Sequence, residues 1–148
     1  MGYELVKLDD QDEPYEVTNW DDPNYFRMNT EIIGRVRNIA LWGIGLISGE
    51  EMIRYTSVVS ASDNENLPVE DLVKMHAVAP ELHVSWLEPF TTTNPKTIPK
   101  AMCLLFAENL DIGLRMISDS PIKPDYELDI MVHCVEFLRN CPNGVWLE

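Results

Sequence analysis

Short apolar and aromatic stretches come first along this chain and long periodic ones follow, so the pattern predicts strands before helices. Residues 2–7, 16–19 and 25–28 are brief, aromatic or β-branched, and bounded by Asp, Asn and Pro, which is how strand pieces read. Asn29 or Thr30 can then cap a helix whose apolar positions Ile32, Ile33, Val36, Ile39 and Ala40 recur at helical spacing, with Glu31 and Arg35 one turn apart on its outer side. Gly43, Gly45 and Gly49 break that period. Ser48-Gly49-Glu50-Glu51 is a capping box, since the Ser hydroxyl and Glu51 can each bond a free amide of the first turn, and it predicts a second helix to about residue 60. Pro68-Val69-Glu70-Asp71 opens a third, carrying Leu72, Val73, Met75, His76 and Val78 until Pro80 stops it.

Polar and apolar residues alternate over 82–87, which predicts a strand. Pro89, Pro95 and Pro99 punctuate 88–98 and predict a rigid, shaped loop. Thr97-Ile98-Pro99 reads as a helix start, and the seven uninterrupted apolar residues 101–107 predict a helix surrounded by protein on nearly all sides. On a helical wheel, 125–141 confines Asp125, Asp129, His133, Glu136 and Asn140 to one strip and leaves the rest apolar, so this helix also reads as buried. Asn143-Gly144 suits a turn before an edge strand at 145–147. The whole reads as one α+β domain over 1–148, mostly helical, with two central helices. Its small sheet is expected from the N-terminal pieces, 82–87 and 145–147.

Charge changes the picture. The 148 residues carry a net charge of −14, and the first 22 hold eight acids (Glu4, Asp9, Asp10, Asp12, Glu13, Glu16, Asp21, Asp22) against Lys7. That acidic segment, 1–22, contrasts with the locally positive stretch containing Arg27, Arg35 and Arg37. A strongly negative protein repels nucleic acid and anionic membrane and attracts basic protein surfaces, so neither direct nucleic-acid binding nor membrane association is expected. The run from Asp9 to Glu16 reads as solvated, with Asp9, Asp10, Asp12 and Glu13 as candidate partner contacts. Keeping the protein soluble is the simpler role for the same acids.

The three cysteines (Cys103, Cys134, Cys141) are odd in number and two of them lie in or beside apolar runs, so they are expected to be reduced hydrophobes, which implies a cytoplasmic setting. The start Met1-Gly2-Tyr3-Glu4 has neither a basic nor an apolar leader pattern. No phosphate-binding glycine loop, nucleophile elbow or His-Glu-x-x-His occurs. His133 and Cys134 point about 100° apart on a helix, so they do not converge with Cys141 on one ion; no metal and no cofactor is expected. His76 and His83 flank Pro80 with no nucleophile placed beside them.

The richest local chemistry is Trp20-Asp21-Asp22-Pro23-Asn24-Tyr25-Phe26-Arg27-Met28-Asn29. Extended, it sets Tyr25, Arg27 and Asn29 on one face and Phe26 and Met28 on the other, so the first face could stack and pair with a ligand, with Trp86 as a further aromatic. Core filling by Phe26 and Met28, with Arg27 pairing to an Asp, is the plainer reading. The segments Met1-Gly2-Tyr3, Tyr25-Phe26-Arg27-Met28-Asn29, Phe137-Leu138-Arg139 and Gly144-Val145-Trp146 resemble the motifs of a family of small uncharacterised bacterial and phage proteins. The resemblance implies a compact single domain with Tyr25, Arg27 and Asn29 as a defining feature, and it implies no reaction.

The expected function is therefore non-catalytic: an acidic interaction or inhibitor protein, with phage or mobile-element counter-defence as its setting, whose N-terminal acids dock on a basic protein surface. One alternative is a module that binds or sequesters a small polar or nucleotide-like ligand at Tyr25, Arg27, Asn29 and Trp86. The other is an enzyme whose acid and base groups come from distant residues.

Overall fold

A computed structural model describes residues 2–46, 48–50, 52, 88–90, 94–121 and 128–148. Four antiparallel strands, β1 (Gly2–Lys7), β2 (Tyr25–Asn29), β3 (Lys96–Ile98) and β4 (Val145–Leu147), form one sheet in the order β2-β1-β4-β3. Alternation decides its two sides. Leu5, Met28, Ile98, Val145 and Leu147 point one way and are buried, joined by Phe26, which stacks on Phe137 with ring centroids 5.5 Å apart.

Among the described residues three long helices supply most of the rest of that core: α1 (Thr30–Gly43), α2 (Lys100–Asp119) and α3 (Asp129–Arg139). Asn29 caps α1, its side-chain oxygen accepting from the Ile32 amide at 2.8 Å. Where α1 meets α2, a Cβ on Gly113 would lie 2.3 Å from the Ile39 carbonyl oxygen, so only glycine admits so close a crossing. α3 packs on the other side of α2, and Arg139 bonds Asp111 at 3.0 Å across that junction. Phe106 and Leu110 of α2 and Met131, Cys134 and Leu138 of α3 are fully or almost fully buried, and Phe90 from a 3₁₀ turn (Glu88–Phe90) packs 4.5 Å from Phe106. Gly144, at φ 89° in the turn before β4, sits where a Cβ would meet the Ile98 carbonyl oxygen at 2.3 Å.

The α+β architecture with a small sheet is thus the one that the residue pattern predicts, but several particulars differ. Residues 16–19 form no strand: no described strand pairs with them, and the Asn19 side chain accepts from the Asp21 amide in a turn at their end. The predicted loop 88–98 is interrupted: Lys96–Ile98 is β3, so α2 starts at Lys100 behind Pro99 and not at Thr97. α2 is not enclosed all round. An apolar run of seven covers nearly two turns, which puts Leu104 (39 % exposed) and Leu105 (49 %) opposite the buried Cys103, Phe106, Ala107 and Leu110. On α3 the strip Asp129, His133, Glu136 and Asn140 is exposed as expected, with Val132 exposed beside it. Of the predicted second helix, Gly49, Glu50 and Met52 are helical, with the Met52 amide bonding the Ser48 carbonyl. The predicted helix over 68–80, the strand 82–87 and residues 125–127 lie outside the described residues.

Candidate functional site

The sheet's other side carries no helix among the described residues, and its composition is different. Register sets two rows of side chains across it: Tyr25, Val6, Trp146 and Thr97 in one, Arg27, Glu4 and Glu148 in the other. Glu4 and Glu148 are directly opposite, exchanging both backbone hydrogen bonds at 2.8 and 3.0 Å, so their carboxylates project from neighbouring strands on the same side.

A loop from Leu8 to Asn24 folds back to form one wall. Its root is the Leu8–Pro14 bridge, with the Tyr15 amide donating to the Lys7 carbonyl at 3.0 Å. Between them the Asp9 carboxylate accepts from the Gln11 and Glu13 amides at 2.8 and 3.0 Å, and Asp12 takes a left-handed conformation at φ 60°, which Asp tolerates better than most residues. Further on, Asn19 and Asp22 side chains accept from the Asp21 and Asn24 amides, turning the chain into β2. Short polar side chains thus shape the wall, and Leu8 at its root is its one fully buried apolar side chain.

Sheet and wall flank an open cleft of about 540 Å³, lined by Glu4, Val6, Tyr25, Trp146 and Glu148 from the strands and by Pro14, Tyr15, Val17, Thr18, Asn19 and Trp20 from the loop. The Tyr25 hydroxyl donates to Glu4 Oε1 at 3.0 Å, and burial together with that bond raises the phenol above its ordinary pKa. Trp20 is 70 % exposed; its ring stands edge-on to Tyr25 at 6.4 Å and carries the Arg27 guanidinium 5.0 Å from its centroid. The cleft therefore joins aromatic surface to two carboxylates, with one internal cation resting on its rim.

Of the residues singled out from sequence, Tyr25 and Arg27 share this face as alternation requires. Asn29 lies at the strand end, where its side chain is engaged in capping α1, and it does not line the cleft. Trp86, like His76 and His83, lies outside the described residues. Asp10, Asp12 and Glu13 are exposed on the loop, whereas Asp9 is tied into it. Sequence reasoning missed Trp146, Glu4 and Glu148. Alternation within 145–147 singles out Trp146 as the odd position, but pairing across the sheet is what joins it to Val6 and Tyr25.

The three thiols are free and buried. Burial pushes Cys103 up to about 12 and Cys141 up to about 11, and raises Cys134 as well. Cys141 Sγ donates to the Phe137 carbonyl at 3.0 Å, so these groups serve as small hydrophobes. Among the described residues no group of three or more His, Cys, Asp or Glu is placed to hold a metal, and no helix is long and apolar enough to cross a membrane. The resembling motifs Gly2-Tyr3, Tyr25–Asn29 and Gly144-Val145-Trp146 fall in or immediately before the adjacent strands β1, β2 and β4. No protein-family model, curated protein or solved structure matches the chain.

Proposed function

We infer that the protein is a non-catalytic interaction protein that covers a basic surface on another protein, an inhibitor where that surface otherwise meets nucleic acid. The observation that carries this reading is the concentration of acids on the cleft's own wall. Asp10, Asp12, Glu13, Glu16 and Asp21 are exposed on the loop whose other side chains line the aromatic cleft, inside a protein of net charge −14. Exposed charges of one sign accelerate encounter with an oppositely charged partner and contribute little to folding. Counter-defence by a phage or mobile element is a setting consistent with that role.

The test replaces Asp10 and Asp12 by Asn and Glu13 by Gln, leaving Asp9 to hold the loop, and measures association with an octalysine peptide at low and physiological salt. Association should slow at low salt, the difference should shrink as the Debye length falls, and the unfolding midpoint should stay put. Unchanged association at low salt would contradict the reading. A small polar ligand is the second reading, favoured by the aromatic lining of the cleft. Glu4 and Glu148 select against a phosphate-bearing occupant there, so a nucleotide-like ligand fits the lining less well than an amine.

A further inference from the structure

We propose that the cleft on the open face of the sheet is a receptor for a single lysine side chain of the partner, its ammonium lodged between Glu4 and Glu148 and its methylene stem against Trp146 and Trp20. This deepens the acidic-surface reading and rests on it, since it names the partner group that the cleft receives.

Three independent features point to that occupant. Two carboxylates stand directly opposite one another on hydrogen-bonded antiparallel neighbours, a like-charge juxtaposition that disfavours the folded state. Arg27, opposite Glu4 on the other side, has its guanidinium over Trp20, and Glu148 is a strand further away. A cation between Glu4 and Glu148 reverses the sign of their interaction, and an ammonium can donate to both. The walls are the second feature. Trp20, Tyr25, Tyr15 and Trp146 offer aromatic surface, and the pairing of Arg27 with Trp20 shows this cluster already holding a cation against an indole. The third is exposure: Trp20 at 70 % and Tyr15 at 44 % contribute little to the core and leave much of their apolar area uncovered in the described fold. The Tyr25 hydroxyl occupies one oxygen of Glu4 and orients the carboxylate while leaving its second oxygen for the incoming ammonium.

The experiment follows the indole N–H resonances of Trp20 and Trp146 in the full chain by NMR during titration with Nα-acetyl-lysine methylamide, a probe with one cation, too short to span the loop acids. Its Nε-acetylated form is the neutral control, and octalysine is titrated in parallel. The charged probe should shift both indoles and the neutral one neither. Glu4→Gln with Glu148→Gln should weaken the charged probe at least tenfold, and Trp20→Ser, at a site too exposed to threaten folding, at least threefold. Equal shifts from charged and neutral probes, or undiminished binding by both variants, would overturn the proposal. If octalysine binds while the single-lysine probe leaves the indoles unmoved, the cleft proposal falls and the acidic-surface reading stands. If the single-lysine probe binds as described and the variant with Asp10→Asn, Asp12→Asn and Glu13→Gln associates with octalysine as fast as wild type at low salt, the cleft stands and the acidic-surface reading falls.

Discussion

The two sides of one four-stranded sheet solve different problems with the same alternating backbone. The inner side sets Leu5, Phe26, Met28, Ile98, Val145 and Leu147 against three helices and buries almost everything it carries. The outer side sets Glu4, Val6, Tyr25, Arg27, Trp146 and Glu148 beside a loop held by hydrogen bonds, and leaves them half-buried or exposed. Apolar contact is spent where it secures the fold, and charge and aromatic surface stand where it does not. Substitutions on the two sides should therefore differ in kind as well as in size.

The largest effects belong inside. Phe106→Ala, at a fully buried ring packed on Phe90, should lower the unfolding free energy by about 3–5 kcal/mol in a urea titration, and Leu110→Ala by about 2–5 kcal/mol. Leu104→Ala, six residues before Leu110 on the same helix but 39 % exposed, should cost under about 1 kcal/mol. Equal losses at Leu104 and Leu110 would break the division of α2 into a core side and an outer side. Gly113→Ala should cost about 1–3 kcal/mol, because the new methyl meets the Ile39 carbonyl and α1 and α2 must part to admit it.

The buried thiols tie the inner side to pH. Each is held protonated by the fold to a higher pH than the ordinary thiol value of 9.0 allows in the unfolded chain. Their contribution is complete below about 9 and is lost as pH rises through about 11 for Cys141 and about 12 for Cys103. Unfolding free energies taken from pH 8 to 11 should fall on the alkaline side, each thiol adding to the slope. Cys103→Ala should flatten that slope; an unchanged slope would place the thiol in water. On the outer side Tyr25→Phe removes one bond to a carboxylate that water can solvate, so its cost should stay at or below about 1 kcal/mol.

How far each side was legible in the residues follows the same division. β1, the Asn29 cap, the turn at Gly144 and the exposed strip Asp129-His133-Glu136-Asn140 were readable because each is a local matter of spacing or turn chemistry. β3 was not, since three residues between Pro95 and Pro99 look like loop until β4 arrives to pair with them. Tyr25 and Arg27 could be placed on one face from alternation alone. That Glu4 faces Glu148, and that Tyr25, Val6 and Trp146 form one row, is decided by pairing between chain ends more than a hundred residues apart, which no local pattern encodes. Leu104 was misjudged because a continuous apolar run does not say which of its positions the neighbouring helices reach.

The most direct test of the claim that the outer side is held for binding is the unfolding free energy of Glu4→Gln with Glu148→Gln, measured against wild type at low and at high salt. Gln at position 4 keeps an acceptor for the Tyr25 hydroxyl while the opposed charges are gone. The double variant should be as stable as wild type or more stable by up to about 1 kcal/mol at low salt, with the difference shrinking at high salt. A loss of more than about 1 kcal/mol would show that the two carboxylates hold the fold together and would contradict the account.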